Sequence, residues 1–158
     1  MNRRQFVLTL PALSLAPAAL AHHGWSSFDE SKPLYLEGKV KSVKWQNPHA
    51  ELVIDVAAAT TLPADLAKRV APKQTQNVDG AKVFASAALP KTRGEWTLEL
   101  APLTRIGLWK IEPPKVGNTV AGIGYTLKDE ALFEGKRWAR MEYYMVGGQI
   151  YGLRSSPA

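Results

Sequence analysis

The chain has 158 residues, 46% of them hydrophobic and 22% charged, with a formal net charge of +6 and no cysteine. That length suits one domain with a real core, and the charge is too mildly basic to argue for a nucleic-acid partner. The absence of cysteine excludes disulfides, thiolate zinc sites and thiol catalysis, so any metal must be held by nitrogen, oxygen or thioether sulfur.

The chain opens "MNRRQFVLTLPALSLAPAALA". Arg3 and Arg4 precede an apolar run from Phe6 to Leu20, and Ala19-Leu20-Ala21 has the small-x-small pattern that a signal peptidase accepts. Residues 1–21 are therefore expected to be a cleaved export signal, and "RRQFV" also fits a twin-arginine signal, which carries folded proteins. Cleavage would take Arg3 and Arg4 with it and lower the net charge by two. No later apolar stretch reaches the roughly 20 residues that span a bilayer. The mature chain is thus expected to be periplasmic, soluble and without a membrane span.

Residues 22–33 form a mature N-terminal segment, "HHGWSSFDESKP", ahead of the first strand signal. "PLYLEGKVKSVKWQNPH" reads as a long strand with Leu34, Leu36, Gly38 and Val40 on one face. Val43 and Trp45 continue in the opposite phase, which predicts a bulge near Ser42. Asn47-Pro48 breaks this strand. "AELVIDVA" is a second strand with Leu52, Ile54 and Val56 inward, and "EWTLEL" a third with Trp96, Leu98 and Leu100 inward. Between them, residues 58–94 form an insertion in which "PADLAKRVA" suits a helical turn or two and "AKVFASAAL" a short strand or helix.

"APLTRIGLWKI" spaces Leu103, Ile106 and Trp109 as one face of a short helix. "TVAGIGYTL" is a fourth strand whose Gly122 and Gly124 permit tight curvature or close packing. "RWARMEYYMV", Gly147-Gly148 and "QIYGLR" form a hairpin with a two-residue turn. Strands, helix and strands in this order predict a mainly β chain: a small OB-like barrel of five to six strands with one short helix, over residues 34–154. A five-strand meander with a packed helix has the same order.

The export signal, "HHGWSSFD", "KPLYLEGKVKSVKWQNPHAELVIDV", the W-x-L-E-L strand and the V-x-G strand together are similar to small periplasmic proteins of domain-of-unknown-function family 6152. The resemblance is close over residues 22–57 and loose over 95–153. Its specific parts are the His-His pair, Glu37-Gly38 and Trp45-x-Asn47-Pro48-His49. The insertion at 58–94 departs from the shorter turn of such proteins. The resemblance implies no reaction.

Cleavage after Ala21 would make His22 the first residue. Its amine and ring Nδ1 can then chelate one metal, and a second imidazole, from His49, completes a T-shaped set of three nitrogens. This is the histidine brace of lytic polysaccharide monooxygenases and of some periplasmic copper carriers. Such a set suits tetragonal Cu(II), and the α-amine titrates near 8, so its proton is weakly held. His23 is a further ligand or an outward neighbour. Cleavage one residue earlier gives Ala21-His22-His23, an amino-terminal copper and nickel motif built on backbone amides. Against these stand incidental histidines at a loose terminus, and a His49 ring that only satisfies backbone groups in its turn. Met141 and Met145 fall on one face of the predicted fifth strand, as a thioether pair for Cu(I) or as core filling.

No Gly-x-Ser-x-Gly nucleophile elbow occurs. Glu95 with Glu99, and Glu51 with Asp55, could serve as paired carboxylates, but outward acids opposite Lys39 and Lys41 read as a solvated, charge-paired face. A brace can also activate oxygen on a flat aromatic face, for which Trp25, Phe28, Tyr143, Tyr144 and Tyr151 are the candidates. The favoured function is nonetheless copper handling or transfer rather than catalysis. It would use His22, His23 and His49, with a metal ion and a periplasmic or membrane-bound protein as partners. The alternative is a non-metal binding module using Lys39, Lys41, Lys44, Trp45, Trp138 and Tyr143 for an oligosaccharide, an anionic ligand or a partner protein.

Overall fold

The computed structural model describes residues 24–128 and 132–158, and every structural statement here concerns those residues. Strands β1 (Leu34–Lys44), β2 (Glu51–Val56) and β3 (Gly94–Glu99) precede helix α2 (Leu103–Leu108), and β4 (Thr119–Tyr125), β5 (Trp138–Val146) and β6 (Gln149–Gly152) follow it. The sheet order is β3-β2-β1-β4-β5-β6, and a parallel β3–β5 pairing closes the first five strands into a barrel. This is the expected OB-like architecture, with β6 as an added strand on β5. The bulge in β1 falls between Val40 and Ser42, where the hydrophobic phase of the sequence switches. At the tip of the β5–β6 hairpin Gly147 and Gly148 have φ of 58° and 79°, the left-handed pair that a two-residue turn requires.

The barrel interior holds Leu36, Val40, Leu52, Ile54, Val56, Trp96 and Leu98, the alternate positions expected of a sheet with one buried face. Helix α2 closes one end through Ile106. Gly124 sits where β4 crosses β5 most closely: a Cβ there would stand 2.5 Å from the Arg140 carbonyl oxygen. The pairing of β4 with β5 slips between Ile123 and Gly124. That slip separates the two methionines. Met141 lies inside the barrel, whereas Met145 lies in a second cluster outside it. The expectation that they share a face is corrected: a bulge in the pairing breaks the two-residue period on which it rested.

The second cluster explains the insertion. A single 3-10 turn (Leu66–Lys68) and helix α1 (Gly80–Ser86) cover the outer face of β1, β4 and β5 with Leu66 and Phe84, which pack on Tyr35, Ala121, Ile123, Tyr143 and Met145. Asp79 caps α1 by accepting from the Lys82 amide at 3.0 Å. The rings of Phe84 and Tyr143 stack with centroids 4.9 Å apart. The C-terminal tail fastens the same insertion, with Thr75 N donating to Ser156 O at 2.9 Å and Gln76 N to Ser155 Oγ at 2.8 Å.

Phe84 is the apolar centre of this cover. Phe84→Ala is expected to lower stability by about 3–5 kcal/mol, measured by urea denaturation, with Phe84→Leu losing much less. A loss below about 1 kcal/mol would mean that the insertion is not part of the core.

Candidate functional site

Three features converge at the seam where β3 meets β5. The first is the turn between β1 and β2. Its Asn47–Pro48 peptide is cis, Asn47 Oδ1 accepts from the Leu103 amide at the start of α2 (3.1 Å), and Ala50 exchanges backbone hydrogen bonds with Leu100 and Ala101. This pinning sets His49, which precedes β2 by two residues, beside the end of β3. There the His49 Nδ1 lies 3.3 Å from Glu99 Oε1.

The second feature is the ion pair across the seam. Register places Glu99 opposite Arg140. Arg140 donates to Glu99 Oε1 from Nε at 2.8 Å and from Nη2 at 2.6 Å. Glu99 and Arg140 are only 6% and 7% exposed. A buried pair of this kind holds its geometry because either charge alone would be costly. The reading of Glu99 as part of a solvated face is therefore corrected. It points out of the barrel, as the alternation requires, but the β1–β2 turn and Arg140 enclose it. Glu51 keeps the expected surface role, paired with Lys44 at 3.3 Å.

The third feature is residues 24–33, the start of the described chain. Asp29 N donates to Thr126 O at 3.0 Å and Lys128 N to Ser27 O at 3.0 Å, so this segment runs against the stretch after β4. Phe28 is buried with Tyr125, Leu127 and Trp138, and Trp25 packs on that cluster. Both sit under guanidinium groups. Arg140 lies 4.5 Å from the Phe28 ring centre and 5.5 Å from that of Trp25, and Arg154 lies 4.0 Å from the Trp25 ring. Cation–π contacts to desolvated guanidiniums are worth about 2 kcal/mol or more. They depend on the arginines being fixed, and Arg154 is fixed by a hydrogen-bonded ion pair with fully buried Glu142 and a second with Glu30 at 3.1 Å.

Of the expected metal residues, then, His49 stands at the seam, while His22 and His23 lie outside the described residues. Among the described residues, no group of three or more His, Asp or Glu is disposed to hold a metal ion. The thioethers lie elsewhere, Met141 within the barrel and Met145 against Arg69 Nη1 at 3.4 Å. A metal at this seam would see nitrogen and oxygen donors only. Trp138 and Tyr143 are buried and Trp45 packs against the core, so the aromatics of the alternative binding face are not displayed on the surface. Phe28, Tyr143 and Tyr144 are likewise buried, which removes them from a flat aromatic face.

Sequence reasoning missed Glu99, Arg140, Glu142 and Arg154. The one available signal was the content of β5: Arg140 and Glu142 stand among seven apolar or aromatic residues in "WARMEYYMV". Charges in such a run need partners.

Burial pushes the Glu142 carboxyl above its ordinary range, and Arg154 pulls it partly back. Arg154→Met would leave that carboxylate buried and unpaired, at an expected cost of about 3–5 kcal/mol near neutral pH. A carboxyl whose folded pKa is raised gives up stability as pH rises from its unfolded pKa through the folded one. The variant should therefore recover stability on acidification toward the ordinary glutamate range, more than the parent chain does. Urea denaturation across pH 4–8 checks this, and an equal deficit at every pH would remove Glu142 as the cause.

Residues 11–65 match the model of a family of unknown function, DUF6152, the family that the sequence resembles. The match takes in the 24–33 segment, β1, the His49 turn and β2. No curated protein and no solved structure matches the chain.

Proposed function

We propose that this is an exported bacterial protein that binds Cu(II) at its mature N-terminus, through the amine and imidazole of His22 together with His49, with His23 beside them, and that it handles or transfers copper in the periplasm. One observation carries this reading. Trp25 touches Arg140, Arg140 holds Glu99, and Glu99 lies against His49. His22 is three residues from Trp25, and three residues reach about 10 Å at most. A chain that starts at His22 therefore starts within reach of His49.

The donor chemistry agrees. Nitrogen and carboxylate ligands without thiolate or thioether suit Cu(II), which leads the divalent first-row metals in affinity for imidazole and amine. A carrier needs such affinity but no substrate face, and the buried aromatics leave little of one. Copper bound in this way would be cargo, offered to a periplasmic or membrane-bound partner protein.

The test combines a mass spectrum of the natively exported protein with a Cu(II) titration followed by electron paramagnetic resonance. The expected result is a chain beginning at His22 with one tight tetragonal site, abolished when a methionine precedes that histidine. His22→Ala and His49→Ala should each weaken binding by more than the roughly 10–100-fold that the loss of an outer-shell partner costs, with the fold intact by circular dichroism. Unchanged affinity in the His49 variant would remove the brace. A chain trimmed past His23, or only weak heterogeneous copper, would make the paired histidines incidental.

A further inference from the structure

We infer that Glu99, locked by Arg140, holds the His49 imidazole as its Nδ1–H tautomer, which makes Nε2 the nitrogen that a metal would take. An ionised carboxylate can only accept hydrogen bonds, and a neutral imidazole carries its proton on one nitrogen and its lone pair on the other. The nitrogen 3.3 Å from Glu99 Oε1 is Nδ1, so the proton belongs there and the lone pair falls on Nε2. Histidine ligands of metals are commonly held in this way, through the ring nitrogen not bound to the metal.

Glu99 suits this orienting role better than that of a ligand. Its Oε1 already receives two donors from Arg140, at 2.8 and 2.6 Å, and its backbone is fixed by ladders to both β2 and β5. Arg140 in turn is stacked on Phe28 and Trp25. The carboxylate can neither rotate away nor approach a metal without breaking a buried ion pair. Glu99 is thus a positioning residue, and the same arginine that orients it also seats the segment leading to the N-terminus. The tautomer belongs to the metal-free protein; only the role of Nε2 as donor rests on the copper reading.

The experiment is a long-range ¹H–¹⁵N correlation spectrum of metal-free, histidine-labelled protein, at a pH where the imidazole is neutral and with His49 assigned by loss of its signals in His49→Gln. The expected pattern is Nδ1–H with an unprotonated Nε2; the Nε2–H pattern overturns the inference. In Glu99→Ala the tautomer should move toward the Nε2–H form that free histidine favours, and Cu(II) affinity should fall about 10–100-fold. An unmoved tautomer in that variant also overturns it. If Glu99→Ala fails to fold because Arg140 is left unpaired, the Glu99→Leu/Arg140→Met double variant replaces the pair by apolar groups and takes the same readout. A wild-type protein with the Nδ1–H form but no copper binding would sink the copper reading alone. Copper bound with His49 in the Nε2–H form would sink only this inference.

Discussion

The seam between β3 and β5 is the constraint on which the rest of the molecule depends. Five strands close into a barrel only if one parallel pairing is made, and that pairing is three residues long, Thr97–Glu99 against Trp138–Arg140. A short parallel ladder is a weak closure on its own. Here its last register pair is Glu99 and Arg140, and their ion pair ties the strands together through side chains as well as through the backbone. Because both charges are buried, they hold only when the register is right. The pair therefore selects the closed arrangement as well as supporting it.

Everything outside the barrel is organised around the strand on the far side of that seam. Nearly every residue of β5 is buried, on both faces. Its inner residues fill the barrel, while Tyr143 and Met145 face the insertion and Trp138 faces residues 24–33. A small barrel normally leaves its outer surface to water. This one wraps its central outward strand in two separate pieces of chain, and the charged residues caught beneath them, Arg140 and Glu142, are each met by an opposite charge.

The inner architecture was legible from the sequence because it obeys a single period. Leu52-Ile54-Val56 and Trp96-Leu98-Leu100 alternate with polar residues, and one face of the sheet is core. The bulge near Ser42 was legible for the same reason, since a phase switch has few other causes. The outer layer was not. Tyr35, Tyr143 and Met145 sit on the face that alternation gives to solvent, and nothing local shows that Leu66 and Phe84, from a stretch rich in alanine and lysine, will cover them. The methionine pair failed because a slip in pairing between two strands leaves no trace in either one. At the site, His49 was picked out by its turn. Glu99 looked like any outward acid, because the arginine that encloses it lies 41 residues later and meets it only through barrel closure.

The seating of Trp25 has a consequence for the order of assembly. Its two guanidinium neighbours stand at positions 140 and 154, and the carboxylate that fixes the second is at 142. During synthesis the start of the chain emerges first and finds no surface to rest on until nearly the whole polypeptide exists. The loop that its docking closes is almost as long as the protein, and contacts of that separation form late because their entropy cost comes before their reward. Residues 24–33 are thus the first to be made and the last to be placed. Whatever the beginning of this chain does as part of the folded protein, it can do only after the barrel is finished, so a completed fold is built into it as a licence to act.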